Sequence, residues 1–168
     1  MNQPSIRFGV INVSDRASAG VYEDLPGKEA VAWLREQFPF VWDLEYAVVP
    51  DEQDRIAGAI MDMADRAGCL IILTTGGTGP APRDVTPEAT VSVCERLLPG
   101  FGEAMRMESL KIVPTAILSR QVAGLRGKSL IINLPGKPTA IRECLDVIKG
   151  AIPYGVYLIS GVDLKAAR

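Results

Sequence analysis

Three threonines and three glycines fill the six positions Thr74-Thr75-Gly76-Gly77-Thr78-Gly79, directly after the apolar run Cys69-Leu70-Ile71-Ile72-Leu73. Glycines at 76, 77 and 79 carry no Cβ, so backbone N–H groups there can curl around an anion as a nest, with hydroxyls alongside. Pro80-Ala81-Pro82-Arg83-Asp84-Val85-Thr86-Pro87-Glu88 follows and brings a carboxylate close to the nest. A second carboxylate, Asp51, comes after Pro50 and another apolar stretch. Two acidic groups beside a phosphate site would repel its ligand unless a divalent cation lies between them. Mg²⁺ is commonly held by one or two carboxylates plus substrate phosphates. It would neutralise charge developing in phosphoryl or nucleotidyl transfer. Other uses remain open for these residues. Asp51 suits a helix N-cap, with Glu52 and Asp54 in the first turn, and Asp84 could pair with Arg83. Asp15 and Asp24 read equally well as turn residues of a polar loop.

Several alternatives are excluded. The G-x-x-x-x-G-K-[ST] phosphate loop is absent, and Pro82 stands where a G-x-G-x-x-G fingerprint needs its third glycine. The chain has no histidine, which removes Ser-His-Asp and Cys-His catalysis and every histidine metal site. Its net charge is −2, without the basic excess of a nucleic-acid binder, so an anionic ligand must be held by local groups. Arg83, Arg120 and Lys137 are the cations placed to do so. Cys69, Cys94 and Cys144 are odd in number and far apart, as packing thiols in a reducing compartment would be. No leader pattern and no bilayer-length apolar run appear, so a cytoplasmic protein with no membrane partner is expected.

The elements that must position these groups follow from hydrophobic periodicity. Strands are expected over 6–13, 42–49, 69–73 and 128–133. Helical spacing marks 27–38, stopped by Pro39, and 51–66, with Ile56, Ile60, Met63 and Ala64 inward. Thr86 can cap a helix that begins at Pro87, where proline is tolerated. A helical run is expected over 103–108, a short strand or helix at 116–118, a tight turn at 135–138, and a helix from Pro138 with Ile141, Cys144, Leu145 and Ile148 on one stripe. The apolar segment 151–159 should pack on the domain or on another subunit. At 168 residues, 48% apolar and 23% charged, the chain suits one domain, 1–168. Strands alternating with helices imply an α/β fold with a mostly parallel sheet covered on both faces. Ligands of such sheets collect beyond the carboxyl ends of the strands. There the loops at Ser14-Asp15, Pro50-Asp51, 74–84 and Asn133-Leu134-Pro135-Gly136 converge.

Taken together, these residues resemble the signature of the MogA-type molybdopterin adenylyltransferases, whose molybdenum-cofactor-biosynthesis domain is shared with the gephyrin G domain. The resemblance runs from 5 to 150. It rests on the Gly-rich segment with Pro82-Arg83-Asp84-Val85-Thr86-Pro87-Glu88, on Ser14-Asp15-Arg16-Ala17-Ser18-Ala19-Gly20-Val21-Tyr22, and on Pro50-Asp51-Glu52-Gln53. Pro99-Gly100-Phe101-Gly102-Glu103, Pro114-Thr115-Ala116-Ile117-Leu118-Ser119-Arg120 and Asn133-Leu134-Pro135-Gly136-Lys137-Pro138 complete it. It implies a three-layer α/β/α sandwich with one antiparallel strand, and a homotrimer. It implies transfer of AMP from Mg-ATP to the molybdopterin phosphate with release of pyrophosphate, and a molybdate-inserting enzyme downstream. The family's two essential acidic positions fall on Asp51 and Asp84, as catalytic and Mg²⁺-binding residues. Thr75, Gly76, Gly77, Thr78 and Gly79 match the phosphate-holding loop, and Pro135 and Gly136 are implied as further substrate-binding residues. Ser119 and Arg120 match the pterin phosphate end, and Ser14, Gly20 and Asp24 the first loop. A non-catalytic molybdopterin-binding or scaffold module is the alternative, although a pure binder would not need both carboxylates.

Overall fold

The computed structural model describes residues 5–167; the ends of the expected 1–168 unit, residues 1–4 and 168, lie outside it. Apolar runs flanked by turn residues become six strands among the described residues: β1 (Arg7–Val13), β2 (Asp43–Val49), β3 (Ile71–Thr75), β4 (Arg96–Leu97), β5 (Ala123–Arg126) and β6 (Ser129–Leu134). They form one sheet in the order β2-β1-β3-β6-β5-β4. β1, β2, β3 and β6 run parallel to one another, while β5 runs antiparallel to both β6 and β4. The expected single reversed strand is therefore β5. Neither β4 nor β5 was anticipated. Each is too short to show an alternation, and Gly124 interrupts the second. A side chain at Gly124 would run into Cys94 and the Arg96 carbonyl of the adjoining strand.

The helices are α1 (Asp15–Ser18), α2 (Leu25–Gln37), α3 (Gln53–Met61), α4 (Thr86–Val93), α5 (Pro99–Leu110), α6 (Pro138–Ile148) and α7 (Ile152–Ser160). A π turn, Asp62–Arg66, continues α3, and a 3₁₀ turn, Pro114–Leu118, stands in the region expected as a short strand or helix. The apolar segment 151–159 is helical, and its Ile152 and Val156 pack on the domain itself. Alternation along the strands builds the three layers. Ile71, Leu73, Leu130 and Ile132 face one core with Trp33 and Leu34 of α2, Met105 of α5 and Leu145 of α6. Ile72 and Ile131 face the other, with Ile56 and Ile60 of α3 and Ala89 and Val93 of α4. The cysteines are packing thiols: burial pushes Cys69 up to about 12 and Cys94 to about 11, so neither is a nucleophile at neutral pH.

Strand order places the site. After β1 the chain moves to β2 on one side, then crosses back to β3 on the other. The β1/β3 boundary is thus the topological switch point, where loops diverge and leave a crevice. Leu73 is fully buried at the middle of β3, directly beneath that crevice. Leu73→Ala should lower unfolding stability by about 2–5 kcal/mol. Val41→Ala, at a side chain 92% exposed, should change it by no more than about 0.5 kcal/mol. Urea denaturation of both variants checks the contrast.

Candidate active site

The Gly-rich loop leaves β3 by a path closed to other residues. Gly76 and Gly77 have φ of 88° and 67°, in the left-handed region where Cβ is strained. A side chain at Gly76 would strike the Val13 carbonyl, and one at Gly77 the Thr86 hydroxyl. Thr86 therefore does not cap α4 as expected: its hydroxyl donates to the Gly76 carbonyl, 2.9 Å away, and α4 begins without a side-chain cap. Of the glycine amides, that of Gly76 is held by the Leu134 carbonyl. Those of Gly77, Thr78 and Gly79 have no acceptor among the described residues, so the nest is narrower than the motif suggested.

The threonines divide by role. Thr78 lines a cavity, whereas Thr74 and Thr75 face inward. Thr75 donates to Asn12 of β1 at 3.0 Å, and Thr74 accepts from Asn133 of β6 at 3.0 Å. Asn133 also donates to Thr90 on α4, and Thr90 to the Thr86 carbonyl. Every buried side-chain polar atom among the described residues has a partner. This polar layer under the loop ties β3 to β1 through one pair and β3 to β6 and α4 through a separate chain of bonds. Its members Asn12, Thr90 and Asn133 sit inside apolar runs, where period alone treats them as core.

Asp51 and Asp84 flank the loop. The Asp51 Oδ1 lies 3.2 Å from where a Cβ on Gly77 would stand, and Asp84 Oδ2 2.8 Å from the same position on Gly79. Neither makes the bland contact open to it. Glu52, not Asp51, is the residue before α3, and Arg83 reaches away from Asp84 to Asp15. Instead Asp51 Oδ2 accepts from the Asp15 N–H at 2.9 Å, and Asp84 Oδ2 accepts from the Ala81 N–H at 3.0 Å. The second oxygen of each makes no hydrogen bond to a described residue. Burial raises the Asp51 pKa above the ordinary carboxylate range, and the charges of Asp15 and Asp84 add to the effect. Asp15 is lowered, chiefly by its bonds to Arg83 and also by the Asp51 N–H. No group of three or more acidic, cysteine or histidine side chains gathers for a metal among the described residues. A cation here would take two carboxylates and complete its shell from substrate phosphate and water, a hard-oxygen set that suits Mg²⁺.

Two cavities open beside the loop. The larger, about 320 Å³, is lined by Thr78, Gly79, Ser119 and Pro135, with Arg106 and Glu143 from α5 and α6. The smaller, about 190 Å³, is lined by Asn12, Ser14, Tyr22 and Gly136. Pro135 and Gly136 thus stand between them, and a Cβ on Gly136 would lie 3.4 Å from Gly76. Arg106 and Glu143 escaped sequence reading because one lay in an apparent helix entry and the other beside a core stripe. Arg120, expected at an anion, is occupied: its guanidinium donates to the carbonyls of Gly79 (2.9 Å) and Asp84 (2.6 Å) and pairs with Glu88. It clamps the two ends of the 79–88 loop, and Glu88 was not foreseen as its partner. Asp24 caps α2 by accepting from Gly27 N–H at 2.8 Å and also receives the Tyr46 hydroxyl. Gly20 is exposed with φ of 72° and lines neither cavity. Lys137 is exposed beside Gly136.

Residues 9–153 match the family model described as a probable molybdopterin binding domain. A molybdopterin adenylyltransferase of Helicobacter pylori is 59% identical over 157 residues, 94% of this chain and 89% of that protein. The protein of the same name from Escherichia coli is 44% identical, covering 97% and 90%. The solved molybdopterin biosynthesis Mog protein of Mycobacterium ulcerans superposes with a TM-score of 0.84 at 38% identity, covering 94% of this chain and all of that one. With the family model spanning nearly all of the sheet, the glycine loop and both carboxylates, the chain belongs to the molybdopterin-binding domain family of molybdenum cofactor biosynthesis.

Proposed function

We propose that this chain is a molybdopterin adenylyltransferase, joining AMP from Mg-ATP to the molybdopterin phosphate and releasing pyrophosphate. The observation that carries the reading is the glycine loop held between Asp51 and Asp84, with a cavity on either side. Relatives 44–59% identical over nearly the whole chain bear that name. Two substrates can approach from the two cavities and bring their phosphates together at the loop.

The chemistry needs little from side chains. A molybdopterin phosphate oxygen, already anionic, attacks the α-phosphorus of ATP. An O–P bond forms, the bond from the α-phosphorus to the bridging oxygen breaks, and pyrophosphate leaves. No general base is required, which agrees with a chain lacking histidine. Catalysis is then positioning plus charge stabilisation. The free amides of Gly77 to Gly79 hold phosphate oxygens. Asp51 and Asp84 would hold Mg²⁺, which when bound neutralises charge on the phosphates. Ser119 and Ser14, at the two cavities, contact the substrates. Arg120 acts through the loop it clamps, and Asp24 keeps α2 and the first loop in place.

In the same reading the protein works in the cytoplasm as a homotrimer and passes its product to a molybdate-inserting enzyme. Support for assembly is the exposed apolar surface at Met107, Ile112 and Ile117 and at Tyr154 and Leu158. No helix among the described residues is long and apolar enough to cross a membrane.

Three outcomes are expected. Incubated with molybdopterin and α-labelled ATP, the protein should transfer labelled AMP to the pterin. Label in free AMP alone, or pterin bound without transfer, would instead support hydrolysis or the non-catalytic module. Asp84→Ala should lower adenylylation by about 100-fold or more, the scale of losing one preorganised electrostatic contact. Molybdopterin binding, measured by fluorescence titration, should stay largely intact; surviving turnover would remove Asp84 from the metal. For Asp51, burial raises the folded-state pKa above that of the unfolded chain. Its stabilising contribution is therefore present at low pH and lost as pH rises through the folded pKa. Asp51→Asn should abolish turnover yet melt no lower than the parent at pH 7, and any difference should shrink as the pH falls and the parent's carboxyl takes up its proton.

A further inference from the structure

Asp15 differs from the other two carboxylates of the site in having both of its oxygens engaged by other groups of the chain. Its Oδ1 accepts from the Asp51 N–H at 3.0 Å and from Arg83 Nη2 at 2.9 Å, and its Oδ2 accepts from Arg83 Nε at 2.7 Å. In return the Asp15 N–H donates to Asp51 Oδ2 at 2.9 Å. The two aspartates thus exchange backbone-to-carboxylate bonds across 36 residues of sequence. Just before them the Ser14 N–H reaches the Val49 carbonyl at 2.9 Å, so the exchange extends the β1–β2 pairing past the strand ends. One oxygen of Asp51 is pinned by this arrangement, and the other is left toward Gly77. Arg83 adds the third loop. It is 61% exposed, and an ion pair so open to water contributes little to stability. Its bidentate geometry nevertheless fixes direction and supplies the positive charge that lets Asp15 sit beside Asp51.

We propose that Asp15 and Arg83 are positioning residues which orient Asp51, joining the loops after β1, β2 and β3 so that a single Asp51 oxygen is presented to the metal and phosphates of the substrate. The proposal rests on the reading of Asp51 as a metal-holding carboxylate. It assigns Asp15 no contact with substrate, and it makes Arg83 a partner of Asp15 rather than an anion-binding side chain. Outer partners of a metal-holding group commonly affect affinity or rate by about 10–100-fold.

The test uses the whole chain and five proteins: the parent, Asp15→Ala, Asp15→Asn, Arg83→Ala and the double variant that combines Asp15→Ala with Arg83→Ala. Each is assayed for kcat and KM, for Mn²⁺ binding in the presence of ATP by electron paramagnetic resonance, and for melting temperature. Asp15→Ala should lower kcat about 10–100-fold and weaken Mn²⁺ binding about 10-fold, with KM for molybdopterin within twofold of the parent. Asp15→Asn keeps an acceptor for the Asp51 N–H and should recover part of both losses. Arg83→Ala should resemble Asp15→Asn, and adding it to Asp15→Ala should cost less than the sum of the two. Parent-like kcat and Mn²⁺ binding in Asp15→Ala, or in Asp15→Asn and Arg83→Ala together if the alanine variant does not fold, would overturn the proposal. A parent that binds Mn²⁺ with ATP but transfers no AMP would instead overturn the adenylyltransferase reading, while the Mn²⁺ series would still decide the role of Asp15.

Discussion

The site depends on how closely the backbone at Gly76 and Gly77 passes its neighbours. The chain leaves β3 at the switch point and turns at once beneath the Val13 carbonyl and against the Thr86 hydroxyl. Only residues without Cβ can make that turn in the left-handed region. The consequence is a loop whose next three amides are free, held between the ends of β1, β6 and α4.

Beneath the turn lies a polar layer that an apolar core would not require. Asn12, Thr74, Thr75, Thr90 and Asn133 are buried, Thr75 bonded to Asn12 and Asn133 bonded to both Thr74 and Thr90. Such a network is favourable only when every member is satisfied, as here. It fixes the register of three strand ends and the first turns of α4, and hence the height of the loop above the sheet. Rigid strands below and a restricted turn above are what a site acting by position and charge needs.

Charge is arranged against stability. Asp15 and Asp84 lie near enough to Asp51 for their charges to bear on it, and the nearby cations are mostly engaged elsewhere. Arg83 neutralises Asp15, and Arg120 is turned to Glu88 and to loop carbonyls. Asp51 is left partly desolvated with like charges beside it, which is why its pKa rises. A crevice so biased suits a cation that arrives with the substrate's phosphates better than one bound by the protein alone. It is the kind of local strain that functional sites retain.

The sequence by itself determined the class of fold, the four long strands and most helices, because apolar periodicity and Gly/Pro punctuation are local properties. It also marked the glycine loop and the carboxylates after β2 and β3, since residue type and distance from a strand end are visible in one dimension. Only the tertiary structure decided the rest. The strands β4 and β5 exist through pairing, not through pattern. Thr86, Arg83 and Arg120 took partners 10, 68 and 32 residues away, displacing the helix cap, the local ion pair and the open anion site that neighbouring residues suggested. The division has one physical cause. Periodicity records which face of an element is buried, whereas a hydrogen bond between loops depends on where the sheet brings their ends, and strand order is not written in any single segment.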